Sequence, residues 1–331
     1  MKNVTKTDNI KYPLRFAPIL KQRVWGGTKY TPEDRNMKGP IGESWEISGL
    51  EEDVSVVTNG VLEGKRLTDL VLEYKQELVG THVYQQFGNT FPLLFKFIDA
   101  EKDLSVQLHP NDKLAKERHE SFGKTEMWYI IDADKDAELI LGFNQPIDEE
   151  KYKTYLEQKR IADILQFTPV KSGEAYLVNS GLVHAICKGV FLAEVQQASD
   201  ITYRIYDWDR LGVSGEPREL HTELALDAID FEHKEAKLTY ENKQNDVANL
   251  CKTPYFISNK VLVTNSYQRD LSQIDSFVVY MCVEGKGTID VNGKTENLYQ
   301  GESVMIPANC NQIELKGEKF GLLEVYIPKQ V

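Results

Sequence analysis

Two histidines and a glutamate stand in sequence contexts that favour a metal site. Gln107 and His109 are two positions apart, so on a strand their side chains point to the same face of a sheet. Glu126 begins a second run of strand character, and His184 begins a third after a turn that contains Gly181. Two imidazoles and one carboxylate suit a divalent ion of the zinc type with a position left open for water or substrate. Isolated histidines in strands are more often packed or exposed, so the spacing alone leaves both interpretations open.

Most of the chain has the pattern of short β-strands, which must position these side chains. The runs are rich in β-branched and aromatic residues, and several are bounded by glycine, proline, asparagine or aspartate. They are Asp53–Val57, Leu93–Ile98, Met127–Ile131, Glu138–Leu141, Ala175–Val178, Phe277–Val283, Gly287–Val291, Ser303–Ile306 and Gly321–Tyr326. The pair Asn292-Gly293 predicts a tight hairpin, because both residues tolerate positive φ.

Apolar residues at helical spacing predict three helices, in residues 67–79, 147–165 and 218–231. The stretch 232–253 is polar with little periodicity, and it is the best domain boundary. We therefore predict a mainly β protein with two jelly-roll units of barrel or sandwich type and a small helical insertion. Residues 1–235 would form a catalytic domain, and residues 236–331 a second domain.

Composition limits the classes of partner. The 331-residue chain carries 51 acidic and 39 basic residues, a net charge of −12. Nucleic-acid binding needs a basic surface, so that class of partner is not expected. The apolar runs fall far short of the roughly 20 residues of a membrane-spanning helix, so no membrane association is expected. Four widely spaced cysteines without a CxxC pair favour a reducing, cytoplasmic location.

The segment before the second histidine resembles the second motif of the cupin superfamily. In that motif a glycine is followed by five residues, a proline, one residue, a glycine, two residues and a histidine. Gly173, Gly181 and His184 match, and Asn179 replaces the proline. The resemblance therefore favours a cupin-type jelly roll around the candidate metal site.

The first-motif region resembles one family within that superfamily. The Gln107/His109 and Glu126 segments look like the first cupin motif, with glutamine in place of one histidine and a long insertion before the glutamate. From about residue 12 to residue 331 the chain resembles the type I mannose-6-phosphate isomerases of the short bacterial kind. The matching stretches are Gly42–Ser48, Pro92–Lys96, Leu104–Pro110, Gly123–Ile130 and Thr202–Asp207.

The last third of the chain carries a degenerate copy of the second motif. Gly301 and Pro307 repeat its glycine-to-proline spacing, but Gln312 stands at the position of the histidine. We expect a jelly roll there without metal ligands, with a role in packing or association.

The resemblance implies a zinc-dependent interconversion of mannose 6-phosphate and fructose 6-phosphate through an enediolate, with one zinc ion per chain. It implies His109, Glu126 and His184 as the ligands. Gln107 would be a weaker fourth ligand, or alternatively a hydrogen-bonding neighbour of the ligands.

Further roles follow from the same resemblance. Glu194 would be the base, with Lys124 as its competitor or as a contact to a substrate hydroxyl. Arg204 matches the active-site arginine and would hold phosphate or stabilise the enediolate. Arg210, Ser105 and Lys96 would contact the phosphate, although a lone lysine is often only a solvated charge.

One departure from the family pattern bears on the sugar. Longer members carry a tyrosine two residues after the second metal histidine, and here that residue is Ile186. The alternatives are another cupin enzyme, such as an iron-dependent oxygenase or an isomerase of another sugar phosphate, or a non-catalytic sugar-binding cupin. The expected partner is a sugar phosphate, and the expected state is a monomer or a weak homodimer.

Overall fold

The computed structural model describes residues 10–29, 40–212, 215–232 and 235–329. The chain forms two compact units. The central unit comprises the described parts of residues 20–44 and 96–238, and the terminal unit those of residues 1–19, 45–95 and 239–331. The chain passes from one unit to the other near residue 238, close to the expected boundary at residue 235. The predicted domains 1–235 and 236–331 are each one continuous segment, whereas residues 45–95 belong to the same compact unit as the C-terminal segment. The division into these two domains stays a prediction.

Strands dominate both units, which confirms the mainly β class. In chain order they are β1 (Ile19–Gly27), β2 (Ile41–Ile47), β3 (Leu93–Ala100), β4 (Val106–Leu108), β5 (Glu126–Ala133), β6 (Glu138–Phe143), β7 (Leu165–Pro169), β8 (Ala175–Val178), β9 (His184–Ile186), β10 (Val190–Gln197), β11 (Tyr203–Tyr206), β12 (Lys237–Leu238), β13 (Val247–Lys252), β14 (Ile257–Val263), β15 (Ser266–Asp270), β16 (Val278–Val291), β17 (Lys294–Tyr299), β18 (Ser303–Ile306) and β19 (Gln312–Tyr326).

Three sheets contain these strands. A seven-stranded sheet has the order β1-β2-β3-β10-β5-β8-β12, and a five-stranded sheet has the order β11-β4-β9-β6-β7. In the terminal unit, β13-β14-β19-β16-β17 form a path to which β15 and β18 are added. Apolar side chains such as Trp128, Ile130, Leu139 and Leu192 form one buried cluster of the central unit.

The helices are short. They are α1 (Leu67–Tyr74), α2 (Gln76–Val79), α3 (Thr81–Phe87), α4 (Asp112–His119), α5 (Glu149–Glu157) and α6 (Thr222–Leu226), with 3-10 turns at Gly60–Leu62 and Ile161–Ile164. The helix expected over residues 67–79 is interrupted at Lys75, whose φ is 48°. Asp148 caps α5 by accepting from the Lys151 amide, and the chain then turns at Lys159 with φ 55°. Among the described residues, no helix is long and apolar enough to cross a membrane.

The helix expected over residues 218–231 is mostly not a helix. Only Thr222–Leu226 is helical. Upstream of it, the His221 amide donates to the carbonyl of Arg204, and the Arg204 amide donates to Nδ1 of His221. The backbone there bonds to β11 instead of to its own preceding turn, so tertiary pairing overrides the helical spacing.

Two strand predictions also differ from the structure. Asp53–Val57 makes isolated bridges only, from Val56 to Arg66 and from Val57 to Phe16. The runs Phe277–Val283 and Gly287–Val291 lie in one strand, β16. Irregular register near Gly285, whose φ is 68°, bends β16 without ending it. The predicted hairpin is confirmed, since Val291 pairs with Lys294 across Asn292-Gly293.

Candidate metal centre

Neighbouring strands bring the two histidines and the glutamate together. His109 follows β4 directly and His184 begins β9, and these strands pair with Gln107 opposite His184. Glu126 is the first residue of β5. One donor atom from each of His109, Glu126 and His184 lies within 4.8 Å of the others, and all three residues are buried. The set that the sequence suggested therefore occurs as one buried cluster.

Backbone carbonyls fix which nitrogen of each imidazole faces the cluster. Nδ1 of His109 lies 2.8 Å from the carbonyl oxygen of Ile201, and Nδ1 of His184 lies 2.8 Å from that of Leu182. A carbonyl only accepts, so each Nδ1 must carry the proton. Nε2 of each neutral ring then presents a lone pair to the cluster, as a metal ligand requires.

Charges around the cluster favour the ligand forms of its members. Burial, assisted by the charge of Lys124, lowers the pKa of His109 to about 3, and burial lowers the pKa of His184 as well. Burial alone would raise the pKa of Glu126, but Lys124 and His109 hold it well below its usual value. Both imidazoles are thus neutral and the carboxylate is ionised at neutral pH.

Within the described part of the chain, the buried oxygens of Glu126 have no hydrogen-bond donor, and neither does Nε2 of His184. Nζ of Lys124 lies 2.8 Å from Oε1 of Glu126 and 3.2 Å from Nε2 of His109, the former as an ion pair without hydrogen-bond geometry. Nε2 of His184 lies 3.8 Å from Oε2 of Glu126. Nε2 of His184 and the Glu126 carboxylate, which lack donors, and Nε2 of His109, which meets only Lys124, fit a zinc-type ion, since burying such acceptors without a donor is costly.

Glu194 is a second buried carboxylate in the same sheet as Glu126. It lies opposite Trp128 in the pairing of β10 with β5. Its Oε1 accepts from Nζ of Lys96 at 2.9 Å, and its Oε2 accepts from the indole Nε1 of Trp128 at 2.8 Å. Burial and the charge of Glu126 raise the pKa of Glu194, although Lys96 opposes the shift.

Lys96 is only 6% exposed and its ammonium is engaged by Glu194. Its expected contact with phosphate therefore stays a prediction. Ile186, the residue at which the family pattern departs, is buried in the same apolar cluster as Trp128 and Leu139.

Arg204 on β11 lies opposite Gln107 on β4. Its Nε donates to Oγ of Ser105 at 3.2 Å, and that hydroxyl donates to Oε1 of Gln107 at 3.3 Å. Its Nη1 donates to the carbonyl of Glu219 at 2.9 Å. Gln107 is therefore a cross-strand neighbour of both His184 and Arg204, and whether it binds metal stays a prediction.

Arg210 belongs to a guanidinium cluster that the sequence reasoning identified only in part. Nε and Nη2 of Arg210 donate to Oδ1 of Asp207, and Arg218 donates to both oxygens of the same carboxylate. Sequence reasoning missed Asp207, Arg218 and Trp128. Two-residue spacing from Glu126 could have indicated Trp128, whereas Arg218 lay in a stretch interpreted as helix.

Comparisons with known proteins identify one family over most of the chain. The family model for the phosphomannose isomerase type I catalytic domain matches residues 14–146, and the model for the mannose-6-phosphate isomerase cupin domain matches residues 246–327. Mannose-6-phosphate isomerase ManA of Bacillus subtilis is 37% identical over 316 residues, which are 92% of this chain and 96% of that protein. The mannose-6-phosphate isomerase of Streptococcus mutans is 34% identical over the same shares of each chain.

Solved structures agree with the sequence relatives. The crystal structure of mannose 6-phosphate isomerase from Bacillus subtilis superposes with a TM-score of 0.84 at 32% identity, covering 96% of this chain and all of that one. The cupin-type fold expected from the sequence is thereby confirmed, and the described strands form open sheets without a closed barrel. With relatives above 30% identity across nine-tenths of its length, the chain belongs to the type I phosphomannose isomerase family.

Proposed function

We propose that the protein is a mannose-6-phosphate isomerase, which interconverts mannose 6-phosphate and fructose 6-phosphate by moving a proton between C1 and C2 through an enediolate. The observation that carries the proposal is the buried cluster of His109, Glu126 and His184 with a second buried carboxylate, Glu194, in the same sheet as Glu126. Full-length relatives that bear this activity in their names support the same assignment.

A single zinc ion per chain would be held by Nε2 of His109, Nε2 of His184 and the carboxylate of Glu126. Bound there, it would polarise the substrate carbonyl and stabilise the developing oxyanion. The donor set supports the choice of zinc, because neutral imidazoles and an ionised carboxylate are ligands that zinc prefers.

Glu194 would take the proton from one carbon and return it to the other. Its raised pKa favours this role, because proton transfer is most effective when the pKa of the base approaches the working pH. The hydrogen bonds from Lys96 and Trp128 hold the carboxylate in one orientation. Lys124, whose ammonium forms an ion pair with Glu126, would contact a substrate hydroxyl.

Arg204 and Ser105 would bind the phosphate, together with Arg210. Guanidinium groups suit this task because their planar donors match the oxygens of a phosphate. We propose the sugar-phosphate substrate as the only partner. We also propose a cytoplasmic location. The monomeric or weakly dimeric state remains a prediction.

A coupled assay for fructose 6-phosphate formed from mannose 6-phosphate tests the function. We expect turnover by the purified protein, loss of turnover after chelation and recovery after zinc is restored. His184→Asn should abolish both metal content and turnover, whereas His119→Asn, which alters an imidazole that contacts Tyr203 and not the cluster, should preserve both. A metal-loaded protein that isomerises other sugar phosphates, but not mannose 6-phosphate, would overturn the choice of sugar.

A further inference from the structure

One buried carboxylate holds two guanidinium groups at the end of β11. Asp207 follows that strand and is 6% exposed. Its Oδ1 accepts from Nη2 of Arg210 at 2.9 Å, and its Oδ2 accepts from Nε of Arg218 at 2.7 Å, with further donors from both arginines to Oδ1. Arg218 therefore makes a two-pronged contact, the geometry in which a guanidinium is most strongly oriented.

Further hydrogen bonds fix the side chain of Arg210 and the segment that carries Arg218. Nη1 of Arg210 donates to the carbonyl of Asp103. The short segment that carries Arg218 is held on β11 by three hydrogen bonds, two between Arg204 and His221 and one from Arg204 to the carbonyl of Glu219. Neither guanidinium depends on a ligand for its position.

The cluster carries more positive charge than its carboxylate neutralises. Burial lowers the pKa of Arg204, and the positive charges of Arg218 and Arg210 lower it further, against the opposing effect of Asp207. Arg210 and Arg218 also hold the pKa of Asp207 below its usual value although burial acts the other way, so the carboxylate is ionised. The carboxylate of Glu219 also acts on Arg204, but its side chain is 84% exposed. Three guanidinium groups thus lie near one buried carboxylate, Asp207.

Donors of Arg204 are still available after these contacts. Among the described residues its Nε and one N–H of Nη1 have acceptors, in Ser105 and Glu219, while Nη2 has none. A guanidinium offers five N–H donors. An anion site typically has half-buried N–H donors without acceptors and several positive charges close together, and Arg204 with its neighbours has both features.

We propose that Asp207 is a positioning residue, which holds Arg218 and Arg210 beside Arg204, and that Arg218 is a third guanidinium in the site for the substrate's phosphate. The inference rests on the proposed function and extends it to two residues that the family resemblance did not assign. One carboxylate shared between two arginines orients both and leaves a net positive charge for a phosphate dianion.

The test uses the zinc-loaded protein and three variants, Asp207→Asn, Arg218→Lys and Arg218→Ala. Asp163→Asn is the matched control, because Asp163 also accepts from an arginine, Arg160, but in an exposed pair. Binding of inorganic phosphate is measured by calorimetry, and kcat and KM are measured with mannose 6-phosphate and, separately, with unphosphorylated mannose.

We expect Asp207→Asn and Arg218→Ala to weaken phosphate binding and to raise the KM for mannose 6-phosphate, each by about tenfold, with kcat changed less than threefold. Arg218→Lys, which keeps the charge without the two-pronged contact, should fall between wild type and Arg218→Ala. Turnover of mannose and the zinc content should match those of Asp163→Asn. A purely structural role would instead lower kcat for both sugars together.

Unchanged phosphate affinity in folded Asp207→Asn and Arg218→Ala would overturn the inference, whatever the protein's activity. If mannose 6-phosphate is not turned over, but phosphate binds and the variants weaken it, the cationic site is supported and only the proposed reaction fails. If Asp207→Asn does not fold, Arg218→Ala decides alone, because its side chain is one-quarter exposed and its removal is easily tolerated.

Discussion

Glu194 shows how the surroundings of one residue set its chemistry. An ammonium and an indole N–H each donate to a different oxygen of its carboxylate, so the group is oriented on both sides. Burial favours the protonated form, while Lys96 favours the ionised form. The result is a carboxylate whose two protonation states are closer in free energy than those of a free glutamate, which suits repeated proton transfer.

Glu194→Gln should therefore lower kcat by about 100-fold or more, because the amide cannot accept the substrate proton. The amide keeps the shape of the side chain and still accepts one hydrogen bond, so zinc content should be unchanged. Steady-state kinetics and metal analysis check both expectations. Glu174→Gln is the control, since Glu174 also accepts from a lysine and a hydroxyl but contacts no predicted site residue. A Glu194→Gln enzyme with near wild-type kcat would contradict the assignment of the base.

For single residues, the sequence indicated which side chains belong to the candidate site but not which groups they bond to. The spacing of Gln107 and His109 left the metal site open, and the resemblance of the segments around His109, Glu126 and His184 to cupin motifs supplied the ligand set. The carbonyls of Ile201 and Leu182 that fix the imidazole protons could not be predicted, because any residue supplies a carbonyl. The engagement of Lys96 by Glu194 joins residues 98 positions apart, and no local pattern encodes such a pair.

Among the elements, the turn before β9 is the one that most clearly requires a particular residue, glycine, at one position. Gly181 has a φ of 86°, its amide donates to the carbonyl of His109, and its carbonyl accepts from the amide of Asp230. A Cβ at this position would lie 2.7 Å from the carbonyl oxygen of Ala228. The turn thus connects the end of the strand that precedes His109 with the start of the strand that carries His184.

Gly181→Ala should destabilise the protein by about 2 kcal/mol and weaken zinc binding, because positive φ and a backbone clash both oppose the side chain. Gly173→Ala is the matched control in the same motif. Gly173 has a similar φ of 87°, but a Cβ there would meet nothing within 4 Å. Urea unfolding and chelator competition measure the two effects. Equal losses of zinc affinity in the two variants would show that the clash at Gly181 does not matter.

Element boundaries were predicted well where strands pair along their whole length, as in β8 and β18, whose bounds match the apolar runs. The prediction failed for residues 218–231, where amphipathic spacing was genuine but the backbone bonds to β11. It also failed at Gly285, since glycine in a long strand permits a bulge as readily as a turn. These outcomes depend on partners far away in the chain, which periodicity does not describe.

For the whole molecule, the buried imidazoles make stability depend on pH when metal is removed. In the folded chain burial lowers the pKa of His109 to about 3 and lowers that of His184, whereas an unfolded histidine titrates near 6.5. Between these values the unfolded chain binds protons that the folded chain does not. The stability from neutral histidines is thus fully present above about pH 6.5 and is lost as the pH falls.

Chelated protein should therefore lose unfolding free energy as the pH falls from 6.5 towards 5, with a slope that approaches about 1.4 kcal/mol per pH unit for His109 and a further loss from His184. Urea unfolding at several pH values checks the slope. His109→Gln should make this slope shallower. The same slope in His109→Gln and wild type would show that His109 is not buried as a neutral ring.

The overall charge predicted neither the sugar-phosphate substrate nor the place where it would bind. A net charge of −12 gave no reason to expect a cluster of three guanidinium groups, because charges summed over the chain say nothing of their distribution. The mainly β class and the cupin resemblance were predictable, since they depend on short-range patterns. The grouping of residues 45–95 with the C-terminal segment was not, because it arises from contacts between distant parts of the chain.

The four cysteines, widely spaced in the sequence, are all buried in the structure as free thiols. Burial raises the pKa of each of them to about 12, so at neutral pH only about one thiol in 100,000 is a reactive thiolate. Alkylating reagents and oxidants should therefore react with these thiols only after the surrounding structure has unfolded. The four thiols therefore report the unfolding of both compact units, through Cys187 in the central unit and through Cys251, Cys282 and Cys310 in the terminal unit.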